Sequence, residues 1–273
     1  MLDHHWIQFG AVPAILAFAA VGIIRFVAGP TIGPRIASSG VSIAVLMSVT
    51  IGSGSVTLLN DRLFLIMSAL VALGLVADVL FHSVRPLMRT LFIAAPLLAL
   101  LWMTNPQLSG PLLLETALFG ACFVAIAVIL FSFSDFEPTN ATPVVLLAMA
   151  ALGIGLVLLL AGEQFGGGVS LSASGAVAAF FLWNFPKQRF AVGGGLMIGV
   201  AALLLLLASA AVIEGAANRL SLAILTLVFF ADKIFRLPVF SSRAGRAVAP
   251  FVLAGVSGIV VLAAIAAAML TTL

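Results

Sequence analysis

Charge is what this chain has least of. Asp, Glu, Lys and Arg make up 8% of its 273 residues, against about 25% in soluble domains. With so few charges a water-soluble protein of this size would have no means of covering its surface. Cysteine is nearly absent as well. Cys122 stands alone in an apolar run, which excludes a disulfide framework and a CxxC redox motif. Only three histidines occur, and two of them, His4 and His5, sit at the extreme N-terminus. Bis-histidine haem ligation between membrane helices therefore has no ligands. No Gly-Lys dipeptide exists to build a Walker A loop, and no HExxH is present, so neither ATP hydrolysis nor zincin chemistry is expected. Asp3-His4-His5 reads as incidental, and no metal or other cofactor is expected.

Apolar residues are what the chain has, at 63% with a mean hydropathy of +1.32. A membrane helix needs about 20 mostly apolar residues, because each adds about 1.5 Å across about 30 Å of hydrocarbon. Ten such runs can be read: Ile7–Val27, Ile36–Leu59, Leu63–His82, Leu87–Met103, Leu112–Phe133, Val144–Ala161, Val169–Phe185, Val192–Ile213, Leu220–Leu237 and Val248–Thr271. Between them fall breakers such as Gly29-Pro30, Asn60-Asp61-Arg62, Glu137-Pro138, Gly166-Gly167-Gly168 and Ser241-Ser242-Arg243. The expected fold class is all-α, a polytopic integral membrane protein of about ten spans. The first run lacks a basic leader and a cleavage site, so it reads as a permanent span.

Basic residues gather in cytoplasmic loops. The odd-numbered connections carry Arg25, Arg35, Arg85, Arg89, Lys187, Arg189, Lys233, Arg236, Arg243 and Arg246, and the opposite side only Arg62 and Arg219. This asymmetry places both termini on the non-cytoplasmic side of a cell membrane. Trp6 and Trp102 fall at the outer boundary and Trp183 at the inner one, as an interfacial belt requires. Topology alone accounts for the pI near 10, so no nucleic acid is implied as a partner. The bilayer is.

Short matches recur in order. Gln8-Phe9-Gly10 returns as Gln164-Phe165-Gly166, and Arg35-x-Ala37-x-x-Gly40 as Arg189-x-Ala191-x-x-Gly194. Arg62-Leu63-x-Leu65 returns as Arg219-Leu220-x-Leu222, Ala77-Asp78-x-x-Phe81 as Ala231-Asp232-x-x-Phe235, and Ala95-Pro96 as Ala249-Pro250. Their offsets of 156, 154, 157, 154 and 154 share one register. The chain then divides into repeat A (1–104, spans 1–4), an intervening pair (105–162, spans 5–6) and repeat B (163–273, spans 7–10). Six spans separate equivalents, an even number, so the copies are parallel. Size and span count are loosely similar to the ten-helix drug/metabolite exporters, whose halves are inverted, and the parallel repeat speaks against that family.

Ionisable groups inside membranes are costly and often functional. Asp78 and Asp232 lie near the inner ends of their spans, with His82 and Arg236 following at i+4. One reading is an interfacial acid paired with a snorkelling base, and the other an inner gate or proton-coupled pair. Asp135 ends span 5 and reads as loop or as a third inner acid. Ser48, Ser53 and Ser55, with Gly52 and Gly54, make the outer half of span 2 polar and small. That suits close helix packing or an unwound segment lining a cavity. Span 7 opens with a similar weak stretch at Gly166–Gly168, so spans 2 and 7 are expected to wall a cavity. Gln8, Gln164, Asp61, Arg62, Glu214 and Arg219 lie near its mouth as a candidate gate. Gly255-Val-Ser257-Gly258 looks like the short element of intramembrane serine proteases, but no His follows Ser257.

The leading expectation is a transporter or exporter of a small solute, two repeats rocking about a central site. An enzyme or flippase for a lipid-linked substrate at the inner face is the alternative, using Asp78, Asp135 and Asp232. A non-catalytic subunit is the third, with co-purification of a partner as its sign. An oligomer stays open.

Overall fold

A computed structural model describes residues 7–52, 58–80, 85–104, 142–187, 189–213, 215, 217–236 and 243–272, with 114, 117 and 125 from the fifth run. All regular structure among them is helical. We number the helices α1 (Ile7–Val27), α2 (Gly29–Ile36), α3 (Ser39–Gly52), α4 (Leu58–Leu80), α5 (Arg85–Thr104), α6 (Thr142–Leu160), α7 (Gln164–Asn184), α8 (from Gly194 to Ile213), α9 (Arg219–Thr226, continued as a 3₁₀ helix over Leu227–Arg236) and α10 (Arg243–Thr272). Among the described residues five helices are long and apolar enough to cross a membrane: α1, α6, α7, α8 and α10. They become six if the bent pair α2–α3 is one span. The apolar parts of α4, α5 and α9 are shorter. The length and composition of these long helices are consistent with a membrane protein. The fifth expected run, including Cys122 and Asp135, lies almost wholly outside the described residues.

The centre of the bundle is α8. It is 83% buried over its apolar window, whereas α1 is 17% and α10 33% buried. Its sequence explains this, because a helix that is apolar all round has no face to give to water. Glycine lets neighbours come close. A Cβ on Gly74 of α4 would meet the Gly194 carbonyl at 2.8 Å, and one on Gly195 would meet Ser39 Cα at 2.5 Å. α4 and α5 pack on α8, α3 touches its start, and α7 packs among α1, α3 and α6, with α10 beyond α6. The exposed side chains of the rim, including Phe26, Ile23, Ile259 and Leu262, are apolar, as lipid contact requires.

Two expected breaks move. Gly166-Gly167-Gly168 is not a loop but lies inside α7, and the turn is at Ala161–Glu163. There Gly162 adopts φ +88°, its amide donates to Leu159 O and the Glu163 amide to Leu158 O. Those two bonds close α6 in a Schellman motif, whose left-handed residue is best supplied by glycine. The displaced glycines pack instead: a Cβ on Gly167 would strike Leu159 Cγ at 2.6 Å and lie 3.1 Å from the Gly155 carbonyl of α6. Small residues at a helix crossing do this in membranes. Asn60-Asp61-Arg62 likewise falls inside α4, which begins at Leu58. An acid in the first turn favours a helix by its interaction with the N-terminal dipole.

A third break is new. Between α2 and α3, at Ala37-Ser38, the chain bends by 58°. α2 carries Pro34 in its last turn, which removes one backbone donor and crowds the preceding turn.

Candidate functional site

Asp78 lies on the last turn of α4 with 2% of its surface exposed. Four donors converge on it. Its Oδ2 accepts from the Gly195 amide at 2.8 Å, from Ser39 Oγ at 3.1 Å and from Ser38 Oγ at 3.2 Å, and its Oδ1 accepts from the Gly194 amide. Local sequence explains each. α8 starts after Gly193, which is extended (φ −101°, ψ −171°) and has no side chain with which to cap. The first amides of a helix have no partner within it. Asp78 supplies from another helix the oxygen that an N-cap side chain would give, and its charge meets the positive end of the α8 dipole. Ser38 and Ser39 reach it because the α2–α3 bend falls between them and Ile36. Ser42, one turn on, donates to the Gly195 carbonyl. One carboxylate thus joins α4, the bent pair and the start of the central helix.

Such an arrangement can hold a negative charge away from water, since charge-assisted hydrogen bonds are worth about 1.5–3 kcal/mol each. A metal cation is poorly served, because both amides present hydrogens to the carboxylate. Among the described residues no three His, Cys, Asp or Glu side chains gather as a metal site.

The other expected site residues fare differently. Pairing of Asp78 with His82 was one reading of the i+4 spacing. His82 lies outside the described residues, and the donors that hold Asp78 come from α8, Ser38 and Ser39. Asp232 and Arg236 fall on the 3₁₀ stretch Leu227–Arg236, and their side chains lie outside those described. Ser48 is buried and donates to Ala44 O at 2.7 Å within its own helix, which makes it a packing residue. Gln164 is exposed at the start of α7, Gln8 is half-buried in the first turn of α1, and Arg219 is exposed at the start of α9. Asp61 and Arg62 lie on the first turn and a half of α4. Ser53, Ser55, Asp135 and Glu214 lie outside the described residues, so the outer gate is not assembled among those described. On the side of the expected cavity between spans 2 and 7, α3 and α7 touch and Ser170 and Ser172 of α7 are fully buried, while residues 53–57 of span 2 lie outside the described residues. Ser257 is fully buried too, and its hydroxyl has no partner among the described residues.

Sequence reasoning singled out Asp78 and missed its cradle. The usable signal was Gly193-Gly194-Gly195 ahead of an apolar run: a helix start with no capping side chain, which needs one from elsewhere.

No protein family, curated protein or solved structure matches this chain.

Proposed function

We propose that the chain is a proton-coupled secondary transporter or exporter of a small solute, with Asp78 as the coupling group. In this reading ten spans carry two parallel four-helix repeats, and the halves move about the bent pair and the start of α8. A single observation carries it: a buried carboxylate sits beside a helix break and accepts four hydrogen bonds from described residues. Broken helices whose N-termini and freed backbone groups face an ion are a transporter device. The proton is favoured over a metal ion by the two amide donors. Oδ2 already takes three donors and Oδ1 one, so the proton has room on Oδ1. Its arrival removes the charge that strengthens all four bonds and frees α4 from α8.

The lipid-linked enzyme reading loses Asp78 as an interfacial acid, because that group is enclosed and occupied by donors. The test is flux in proteoliposomes enclosing a pH-sensitive dye, challenged with classes of small solutes under an imposed proton gradient. We expect one class to drive proton movement, and Asp78→Asn to abolish it while the variant keeps its helical content. Full transport by Asp78→Asn overturns the role of Asp78. Failure of every solute class overturns transport itself.

A further inference from the structure

A groove of about 550 Å³ runs between α1 and α7, lined by Ala14, Ile15, Phe18, Gly175, Ala178 and Leu182 among others. Its floor is made of small residues and its rims of exposed apolar ones, with Ile15, Phe18 and Leu182 turned outward. One end is closed by Trp183, which stacks on Phe18 at 4.6 Å and donates to the Phe18 carbonyl at 3.1 Å. Tryptophan in that role marks the level of the headgroups. Just beyond it the chain gathers bases. Arg25 is one turn past Gly22, whose Cβ position lies 3.3 Å from the Trp183 ring. The α7–α8 connection folds back so that the Ala191 amide donates to Pro34 O at 3.1 Å. That fold brings Lys187 and Arg189 to the side of Arg35, all three exposed. Asp78, near this end, is enclosed in its own cradle.

We infer that the groove holds an acyl chain of an anionic phospholipid, whose phosphate rests among Arg25, Arg35, Lys187 and Arg189. Apolar lining takes the chain and the basic cluster takes the head, in the order in which a lipid presents them. Charge also decides against a second copy of this protein. Two-fold pairing of this face about the membrane normal would set the same four bases against themselves, whereas basic residues at a membrane surface attract anionic lipid.

The full chain with Trp6→Phe and Trp102→Phe leaves Trp183 as its sole indole. Reconstituted in vesicles of phosphatidylcholine, it is titrated with chain-brominated phosphatidylglycerol or chain-brominated phosphatidylcholine, and quenching of Trp183 is read. The anionic lipid is expected to reach half-quenching at a mole fraction about fivefold lower than the neutral one, a preference set by the local bases. Lys187→Gln with Arg189→Gln should erase the preference and leave quenching by both lipids. Ala178→Phe, or Ala14→Leu on the opposite wall should the first variant lose helicity, should weaken quenching by both. Equal quenching by the two lipids in the parent protein overturns the proposal, as does a preference that survives the Lys187 and Arg189 changes. Protection of Trp183 from both lipids by a cross-linkable dimer overturns it in favour of a second copy.

Discussion

The ends of α4 and α9 carry the same words, Ala77-Asp78-x-x-Phe81 and Ala231-Asp232-x-x-Phe235, on different backbones. In α4 the α-helix runs on through Asp78 to Leu80. In α9 it gives way after Thr226 to a 3₁₀ helix through Asp232. Asp78 is needed where it lies, because the start of α8 lacks its own cap. In the proposed repeat the segment matching α8 is α3, whose start follows a bend at Ala37-Ser38. Similar sequence does not impose similar structure when the partner helix makes a different demand. The comparison also bears on the proposed repeat. α1 packs on α3, but its counterpart α7 packs on α6, α1 and α3.

The contrast can be broken most forcefully at the acid. Asp78→Ala leaves the Gly194 and Gly195 amides and two hydroxyls without their acceptor, and each buried donor left unsatisfied costs about 1–3 kcal/mol. A fall in the melting temperature of the detergent-solubilised protein should show it, and Asp232→Ala should produce a clearly smaller fall. Equal falls would mean that the two acids serve equivalent sites. Next comes Gly195→Ala, whose methyl would press on Ser39 Cα at 2.5 Å. Overpacking of that kind costs about 1–3 kcal/mol, and the matched change Gly255→Ala, in open space, should cost almost nothing by the same thermal assay.

Ser38→Ala and Ser39→Ala should each lose about 1.5–3 kcal/mol, since each removes one hydrogen bond to a charged group. Because both hydroxyls serve the same Oδ2, the double variant should depart from the sum of the singles. A purely additive result would show that they act apart. The smallest effect is expected at Ser257 and Ser221, whose buried hydroxyls have no partner among the described residues. Alanine there should be neutral or stabilising by up to about 1 kcal/mol, because it removes an unsatisfied polar group. A marked loss in either would reveal a polar partner.

Much of the helical layout was legible because hydrophobicity is a local signal. The runs at Ile7–Val27 and Val144–Ala161 nearly coincide with α1 and α6. What escaped were features set by distance in sequence. Asp78 could be picked out as a buried acid, but attention to its own helix leads to His82, four residues on, when its donors lie 39 to 117 residues away. Three consecutive glycines at Gly166 read as a loop because glycine breaks helices in water. Here the same lack of a side chain serves close packing within α7. The bend at Ala37-Ser38 went unread because an apolar run tells of burial and says little about direction.

The remote cap of α8 has a consequence for biogenesis. During synthesis Asp78 is made 116 residues ahead of the Gly194 amide that it will accept. Until that later stretch emerges, the two amides that hold its carboxylate are not yet made. Its final seating must therefore await the arrival of α8, making this helix pair a late checkpoint in assembly.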